Sequence, residues 1–209
     1  MRGTLLNNKG AIVSAVGGYA VLAGRQVINE GLIQANLGSV VLGGARSYAL
    51  DVVGDKLLSF AVTSPLELAT ANGRAVLENS GTLQADGGRV QLTARTAKDV
   101  IGGVINTTGL VQANNAALVN GTIVLDAGTT GAVNIAGTVS VNHSAGSGGS
   151  IAITGGSIVN SGSLMANGLD GGGHISLFAR LVRLVPRPRP VCIRLWPNNV
   201  SASRKIPHA

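Results

Sequence analysis

The sequence predicts an all-β protein built as a parallel β-helix, a solenoid in which short strands stack coil upon coil. Three observations predict this fold class. A short motif recurs along the chain, apolar residues alternate with a period of two inside each copy, and aromatic residues make up 2% of a chain that is 45% hydrophobic. Small and β-branched apolar side chains suit a narrow layered interior, whereas a compact globular core relies on bulkier aromatic residues.

The repeat is anchored on one glycine in each unit, at spacings of 21, 50, 28, 28 and 25 residues. The anchors are Gly10, Gly31, Gly81, Gly109, Gly137 and Gly162. Two positions after each anchor stands an aliphatic residue, namely Ile12, Ile33, Leu83, Val111, Val139 and Leu164. Units this short cannot bury their own apolar faces, so they must stack on one another. We therefore expect the last five of these aliphatic side chains to form one buried column.

A recurrent asparagine and a second apolar pair complete the unit. Asn8, Asn29, Asn79 and Asn160 each stand two positions before an anchor. Stacked asparagine side chains can hydrogen-bond along the axis of a solenoid, and asparagine tolerates the left-handed backbone of a corner. The glycine that follows is expected to supply a positive φ angle. Each unit then closes on an alternating pair, such as Val40 and Leu42.

The 50-residue spacing contains the segment "SYALDVVGDKLLSFAVTSPLELATANG". Tyr48, Leu50 and Val52 alternate, "VGDK" has the composition of a turn, and alternation resumes through Leu58 and Phe60. This pattern predicts an extra-helical β-hairpin near residues 47–62. An antiparallel sandwich is the alternative fold, but a sandwich does not need the same residue at the same place in every unit.

The net charge of +7 belongs to the end of the chain. Residues 1–179 contain nine Lys or Arg and nine Asp or Glu, whereas residues 180–209 contain seven basic residues, no acidic residue and five of the six prolines. We expect the solenoid to occupy residues 1–179, with 180–209 as a basic Arg/Pro-rich tail outside it. The tail is interpreted as an out-of-frame gene end or, alternatively, as a basic interaction segment. The balanced charge of the repeat region predicts no nucleic-acid partner.

The blocks "GGYAVLAGRQVINEGLIQANLGSVVLGG", "ALDVVGDKLLSFAV" and "ENSGTLQADGGRVQLTA" carry a resemblance. Over roughly residues 3–179 the chain resembles the haemagglutination-activity region of filamentous-haemagglutinin-like exoproteins. The resemblance implies a right-handed parallel β-helix with an extra-helical hairpin, in a non-enzymatic segment of a secreted bacterial adhesin. Export would use two-partner secretion, in which the periplasmic domains of an outer-membrane β-barrel transporter engage this region. The implied receptor is a host-cell surface or glycan.

Two departures from that family indicate a fragment. A signal peptide is not visible in this chain, and the Asn-Pro-Asn motifs of the family's secretion signal are absent because the only proline before the tail is Pro65. Full-length members of the family are secreted or reach the outer cell surface. The exposed ends of such a segment predict end-to-end self-association.

A carbohydrate-active enzyme is the alternative function, since parallel β-helices also include polysaccharide lyases and hydrolases. Such enzymes need clustered carboxylates, but most acidic residues here flank Gly or Asn, as turn residues do. Glu30 and Glu78 are the pair expected to lie near each other, whereas His143 and His174 stand at different distances from their anchors. We therefore predict no catalytic residue, no metal site and no cofactor. The sequons at Asn106, Asn120 and Asn142 are interpreted as corner residues rather than glycosylation sites.

Overall fold

The computed structural model describes residues 5–52, 58–66, 74–96, 104–116 and 119–185. Within these ranges the chain is all-β: it forms 21 strands, of which 19 belong to three parallel sheets and two to an antiparallel pair. The strands run from sheet to sheet in a fixed order, so that each coil contributes one strand to each sheet. The prediction of a parallel β-helix is confirmed.

Each sheet is built from strands of successive coils, and neighbouring strands in a sheet come from neighbouring coils. The first sheet consists of β1 (Leu5–Asn8), β4 (Gln26–Asn29), β9 (Leu77–Asn79), β12 (Ile105–Thr107), β15 (Ala132–Ile135), β18 (Ser157–Asn160) and β21 (Leu181–Leu184). The second sheet consists of β2 (Ala11–Val13), β5 (Leu32–Gln34), β10 (Thr82–Gln84), β13 (Leu110–Gln112), β16 (Thr138–Ser140) and β19 (Ser163–Met165). The third sheet consists of β3 (Tyr19–Gly24), β6 (Ser39–Gly44), β11 (Arg89–Ala94), β14 (Thr122–Asp126), β17 (Ser150–Thr154) and β20 (His174–Phe178).

The residues of the expected aliphatic column lie in register on the second sheet. The pairings run Ile12 to Ile33, Ile33 to Leu83, Leu83 to Val111, Val111 to Val139, and Val139 to Leu164. From Ile33 to Val139 these side chains are fully buried, and Leu164 is 4% exposed. The closing pairs of the repeat stack in the same way on the third sheet, where Val40 pairs with Val90 and Leu42 with Leu92.

The first sheet comes from the part of each unit that precedes the anchor. Its inward residues include Val27, Leu77, Ile105, Val133 and Ile158, all of them fully buried in the same core as the other two sheets. The sequence analysis noted only the asparagines in this segment and did not predict a strand there. It therefore predicted two of the three sheets of the solenoid. The strands here have three or four residues, too few for a period of two to be visible in one copy.

The predicted hairpin is also present. Strands β7 (Ser47–Val52) and β8 (Leu58–Ser64) form a two-stranded antiparallel sheet outside the coils. The predicted turn falls within residues 53–57, which lie outside the described residues. The insertion leaves the register of the coils unchanged, since Asn29 on one side of it pairs with Asn79 on the other.

The solenoid extends beyond the boundary expected at residue 179. Leu181 to Leu184 form β21, which pairs in parallel with Ser157 to Asn160, and the backbone N–H of Val185 donates to the carbonyl of Asn160. The expected tail therefore contains one more strand of the first sheet. The sequence analysis did not identify this strand because its segment, "LVRL", has neither the asparagine nor the following anchor glycine by which units of the repeat were recognised. Residues 186–209 lie outside the described residues.

Candidate functional site

The anchor glycines form a column in which the backbones of successive coils touch; we call Gly31, Gly81, Gly109, Gly137 and Gly162 the glycine column. At each of them an added Cβ atom would fall well inside van der Waals contact with the carbonyl oxygen of the anchor glycine one coil earlier. That carbonyl also accepts a hydrogen bond from the residue after the next anchor, for example from Leu110 to Gly81 at 2.9 Å. A side chain has no room at this corner.

The expected positive φ at the anchors is wrong. Among the described residues, positive φ occurs at Gly17, Leu37, Gly87 and Gly128, and at none of the anchors. Gly17, Leu37 and Gly87 stand at the next corner, between the second and third sheets. Glycine is needed at the anchors because two backbones approach closely, whereas at the next corner glycine adopts the left-handed backbone without strain. Leu37 adopts φ of 53° without this freedom.

The recurrent asparagines form a partial ladder along the first sheet; we call Asn8, Asn29, Asn79 and Thr107 the corner ladder. Asn8 donates to Asn29 and Asn29 donates to Asn79, each at 2.8 Å, and Asn79 donates to the hydroxyl of Thr107 at 3.4 Å. Asn29 and Asn79 are buried. They are the last residues of extended strands rather than left-handed corner residues, so their role is to satisfy one another inside the wall.

Asn160 stands in the same row but apart from this ladder. Ile135, which is 1% exposed, occupies the row between Thr107 and Asn160. The side chain of Asn160 instead accepts a hydrogen bond from the N–H of Gly162 at 3.0 Å. The sequence spacing placed Asn160 correctly in the row, but an aliphatic residue one coil earlier prevents a continuous ladder.

We expect replacement of Asn29 by alanine to reduce the free energy of unfolding by about 2–3 kcal/mol, because it removes the hydrogen bonds to the partly buried Asn8 and the buried Asn79 and leaves the Oδ1 atom of Asn79 without its donor. Asn134→Ala is the matched control, since Asn134 makes a hydrogen bond of the same length, 2.8 Å, to Asn106 on a partly exposed position. Asn134→Ala should reduce the free energy of unfolding by about 1 kcal/mol or less. Urea unfolding of both variants measures the difference, and equal losses would contradict a buried ladder.

The structure contains a second ladder that the sequence analysis did not identify. We call its members, Asn36, Asp86, Asn114, Asn142 and Asn167, the Asx ladder. In each step the side-chain oxygen of one coil accepts the backbone N–H of the equivalent residue in the next coil, at 2.8–3.2 Å. The signal was present, because every member stands five positions after its anchor glycine. Asn and Asp share this acceptor oxygen, so the pattern is visible only when the two types are counted together.

Asp86 is the charged member of the Asx ladder. Its carboxylate accepts hydrogen bonds from Gln84 at 2.6 Å, from Gln112 at 3.0 Å and from the N–H of Asn114 at 3.0 Å. These donors come from its own coil and from the next one. The arrangement ties two coils together and leaves the carboxylate occupied by structural contacts.

Three further carboxylates make separate ion pairs. Glu30 lies 3.4 Å from Lys9, and Asp126 makes two hydrogen bonds to Arg95, at 2.8 and 2.6 Å. Glu78 pairs with Arg74 and also accepts the N–H of Ala75 at 3.0 Å. Glu30 and Glu78, which the sequence analysis expected to lie near each other, pair with Lys9 and Arg74 respectively, and the charge of Glu30 also acts on Arg74. In strand register Glu78 stands opposite Ile28, not Glu30.

Two arginines have shifted pKa values. The hydrogen bonds and charge of Glu78 hold the pKa of Arg74 above its ordinary value, whereas burial lowers the pKa of Arg89. Within the described part of the chain, the buried Nε atom of Arg89 has no hydrogen-bond partner. The ordinary pKa of arginine lies so far above neutrality that both side chains remain charged.

The histidines occupy separate places. The Nδ1 atom of His143 lies 3.3 Å from the carbonyl oxygen of Ser147, and His174 begins β20 opposite Ser150. Among the described residues, no group of three His, Cys, Asp or Glu side chains is arranged to hold a metal ion. His208, Cys192 and the acidic residues Asp55, Glu67 and Asp99 lie outside the described residues. No helix in the described part of the chain meets the length and hydropathy needed to cross a membrane.

The outer face of the third sheet carries the hairpin. Val41 points away from the solenoid core yet is 1% exposed, because Val21, Ala23 and Val62 pack around it in a small separate cluster. Val62 belongs to β8 and the other three to the sheet. On β7, Tyr48 is 45% exposed and Leu50 43% exposed. The hairpin thus covers part of the solenoid and presents an apolar surface of its own.

The fold and these features define the chain as a parallel β-helix with an extra-helical hairpin. Comparisons with known protein families, with curated proteins and with solved structures found no match.

Proposed function

We propose that this chain is a non-enzymatic segment of a secreted bacterial adhesin of the filamentous haemagglutinin type, exported by a two-partner outer-membrane transporter. The observation that supports the proposal most directly is the position of β7 and β8. Among the described residues, one antiparallel hairpin lies on the third sheet and interrupts the parallel solenoid between its second and third coils. The resemblance in the sequence implies this combination, and an ordinary repeat solenoid does not require it.

The chemistry of the surface supports a binding role over a catalytic one. The carboxylates of Glu30, Glu78, Asp86 and Asp126 are held in ion pairs or in the Asx ladder. Exposed apolar side chains such as Tyr48 and Leu50 lie on the hairpin. Surfaces along the side of a rigid rod suit recognition of a host-cell surface or a glycan, which needs preformed contacts. The transporter would meet the same exposed faces.

Export tests the proposal. We expect the chain, fused to a cleavable signal peptide and to the N-terminal coils of a full-length family member, to reach the medium of a Gram-negative host only when a two-partner transporter is co-expressed. The measurement is the fraction exported with and without the transporter. The same fusion with Val111→Asp is the matched control, since its solenoid should not fold, and it separates recognition of the signal from completion of export.

Three outcomes would contradict the proposal. Equal export with and without the transporter would show that this pathway is not used. Cleavage of acidic or neutral polysaccharides by the purified chain, followed by the appearance of new reducing ends, would favour the carbohydrate-active enzyme instead. Efficient export of the chain without the added signal peptide and coils would show that it carries its own targeting information.

A further inference from the structure

The described residues contain two Asn-Gly pairs, at 120–121 and 167–168, and a third pair, at 72–73, lies outside the described residues. Asparagine is a chemically labile residue. When glycine follows it, the glycine nitrogen can attack the side-chain amide carbon, because no side chain on the glycine hinders the approach. Asn120 and Asn167 are both exposed, but their hydrogen bonds differ. The structure therefore indicates different reactivities for the same dipeptide.

The reaction in question is deamidation, and water is its only other reagent. The glycine nitrogen gives up its proton and forms a bond to the asparagine Cγ atom. The bond from Cγ to the amide nitrogen breaks, and that nitrogen leaves with the proton as ammonia. Water then opens the resulting succinimide at either carbonyl, which gives aspartate or isoaspartate. The attack needs a glycine N–H that is not held in a hydrogen bond and a side chain that is free to turn toward it.

At Asn120 both reacting groups are held by the side chain of Asn115. The N–H of Gly121 donates to the Oδ1 atom of Asn115 at 2.7 Å, and the Nδ2 atom of Asn115 donates to the Oδ1 atom of Asn120 at 3.0 Å. The same Nδ2 atom also donates to the carbonyl of Ser147 in the next coil at 2.7 Å, which fixes the side chain of Asn115. Attack at Asn120 therefore requires the loss of hydrogen bonds on both the glycine nitrogen and the amide.

At Asn167 the corresponding groups are free. The hydrogen bonds of this residue use its main chain: its N–H donates to the Oδ1 atom of Asn142 and its carbonyl accepts the N–H of His143, each at 2.8 Å. Within the described part of the chain, neither the side-chain amide of Asn167 nor the N–H of Gly168 has a hydrogen-bond partner. No bond has to break before the glycine nitrogen loses its proton and the amide turns toward it.

We infer that Asn167 is a site of spontaneous deamidation in the folded protein, and that Asn115 protects Asn120 from the same reaction. The product places a new carboxylate three residues before the exposed Asp170, so the loop gains negative charge. Isoaspartate also adds a carbon atom to the main chain. Gly168 is packed closely against the carbonyl oxygens of Gly146 and Gly171, so the longer main chain must displace this loop. The inference is independent of the proposed function.

The test is peptide mapping by mass spectrometry of the folded full chain, sampled during incubation at mildly alkaline pH, where the glycine nitrogen loses its proton more readily. We expect Asn167 to deamidate about tenfold faster than Asn120, a ratio that corresponds to about 1.4 kcal/mol in the activation barrier. In urea at a concentration that unfolds the chain, the three Asn-Gly pairs should react at similar rates, because the fold no longer distinguishes them. Equal rates at Asn120 and Asn167 in the folded chain would overturn the inference.

Asn115→Ala tests the protection directly. It removes the acceptor of the Gly121 N–H and the donor to Asn120, so deamidation at Asn120 should rise about tenfold while the rate at Asn167 stays the same. Asn134→Ala is the matched control, since it removes a side-chain hydrogen bond of 2.8 Å on the first sheet and should change neither rate. Circular dichroism checks that both variants are folded. An Asn120 that stays unreactive in folded Asn115→Ala would show that Asn115 does not protect it.

Discussion

Replacement of Val111 by aspartate should unfold most of the solenoid at neutral pH, with a loss of about 4 kcal/mol or more in the free energy of unfolding. Val111 is fully buried on β13, between Leu83 and Val139 of the neighbouring coils. A carboxylate there has no cation to pair with and no water. Because each coil is supported only by its neighbours, a defect in a middle coil weakens both halves.

The pH dependence of this loss has a definite sign. Burial raises the pKa of an aspartate in the folded state above its unfolded value of about 3.9. Below that value the side chain is neutral in both states, so the loss is smallest in acid. As the pH rises above it, the unfolded state ionises first and the loss grows. Val124→Asp, on the outer face of the third sheet, is the control and should change stability by roughly 0.5 kcal/mol. Equal losses for both variants would contradict the single buried column.

The second large effect concerns Gly109. We expect Gly109→Ala to reduce the free energy of unfolding by about 3 kcal/mol, because the added methyl group meets the backbone of Ser80 and Gly81, which cannot move aside as a side chain can. Without that contact, Gly109→Ala would be expected to increase the free energy of unfolding. Alanine restricts the unfolded chain and typically stabilises by about 0.4–1 kcal/mol where the native backbone accepts it. Gly109 does not have positive φ, so backbone strain does not account for a loss.

Gly10→Ala provides the matched control in the same motif. Gly10 is the anchor glycine of the first coil, and nothing lies within 4 Å of a Cβ atom added there. At low protein concentration it should leave the midpoint of urea unfolding unchanged or raise it slightly. A stabilising effect at Gly109 as well would show that the coils are spaced more widely than the structure indicates.

The sequence predicted those features that depend on one residue type recurring at one place. The anchor glycines and the aliphatic column follow from such recurrence, whereas the hairpin was predicted from apolar alternation in the one segment that interrupts the repeat. The reason for the anchor glycines could not be predicted, because positive φ and close backbone approach both select glycine. The distinction depends on the neighbouring coil, which no local pattern contains.

The candidate site shows the same limit. Asp86 was recognised as a turn former, but its place in the Asx ladder depends on Asn36 and Asn114, which are distant in sequence and differ from it in type. Strand β21 was missed because its residues carry no anchor. Glu30 and Glu78 were expected near each other from their closeness to the anchors, but the sequence did not show that Lys9 and Arg74 would be their ion-pair partners, which depends on side-chain direction on the sheet.

The hairpin insertion between Asn29 and Asn79 has a consequence for how the fold tolerates change. These two residues are 50 positions apart yet pair as directly as Asn79 and Thr107, which are 28 apart. In a flexible chain, closing the longer loop costs only about 0.5 kcal/mol of additional entropy, since the penalty grows with the logarithm of loop length. The packing of Val62 on Val41 offsets part of this cost. New segments can therefore be accommodated at this corner during evolution, or grafted there by design, without disturbing the coils on either side.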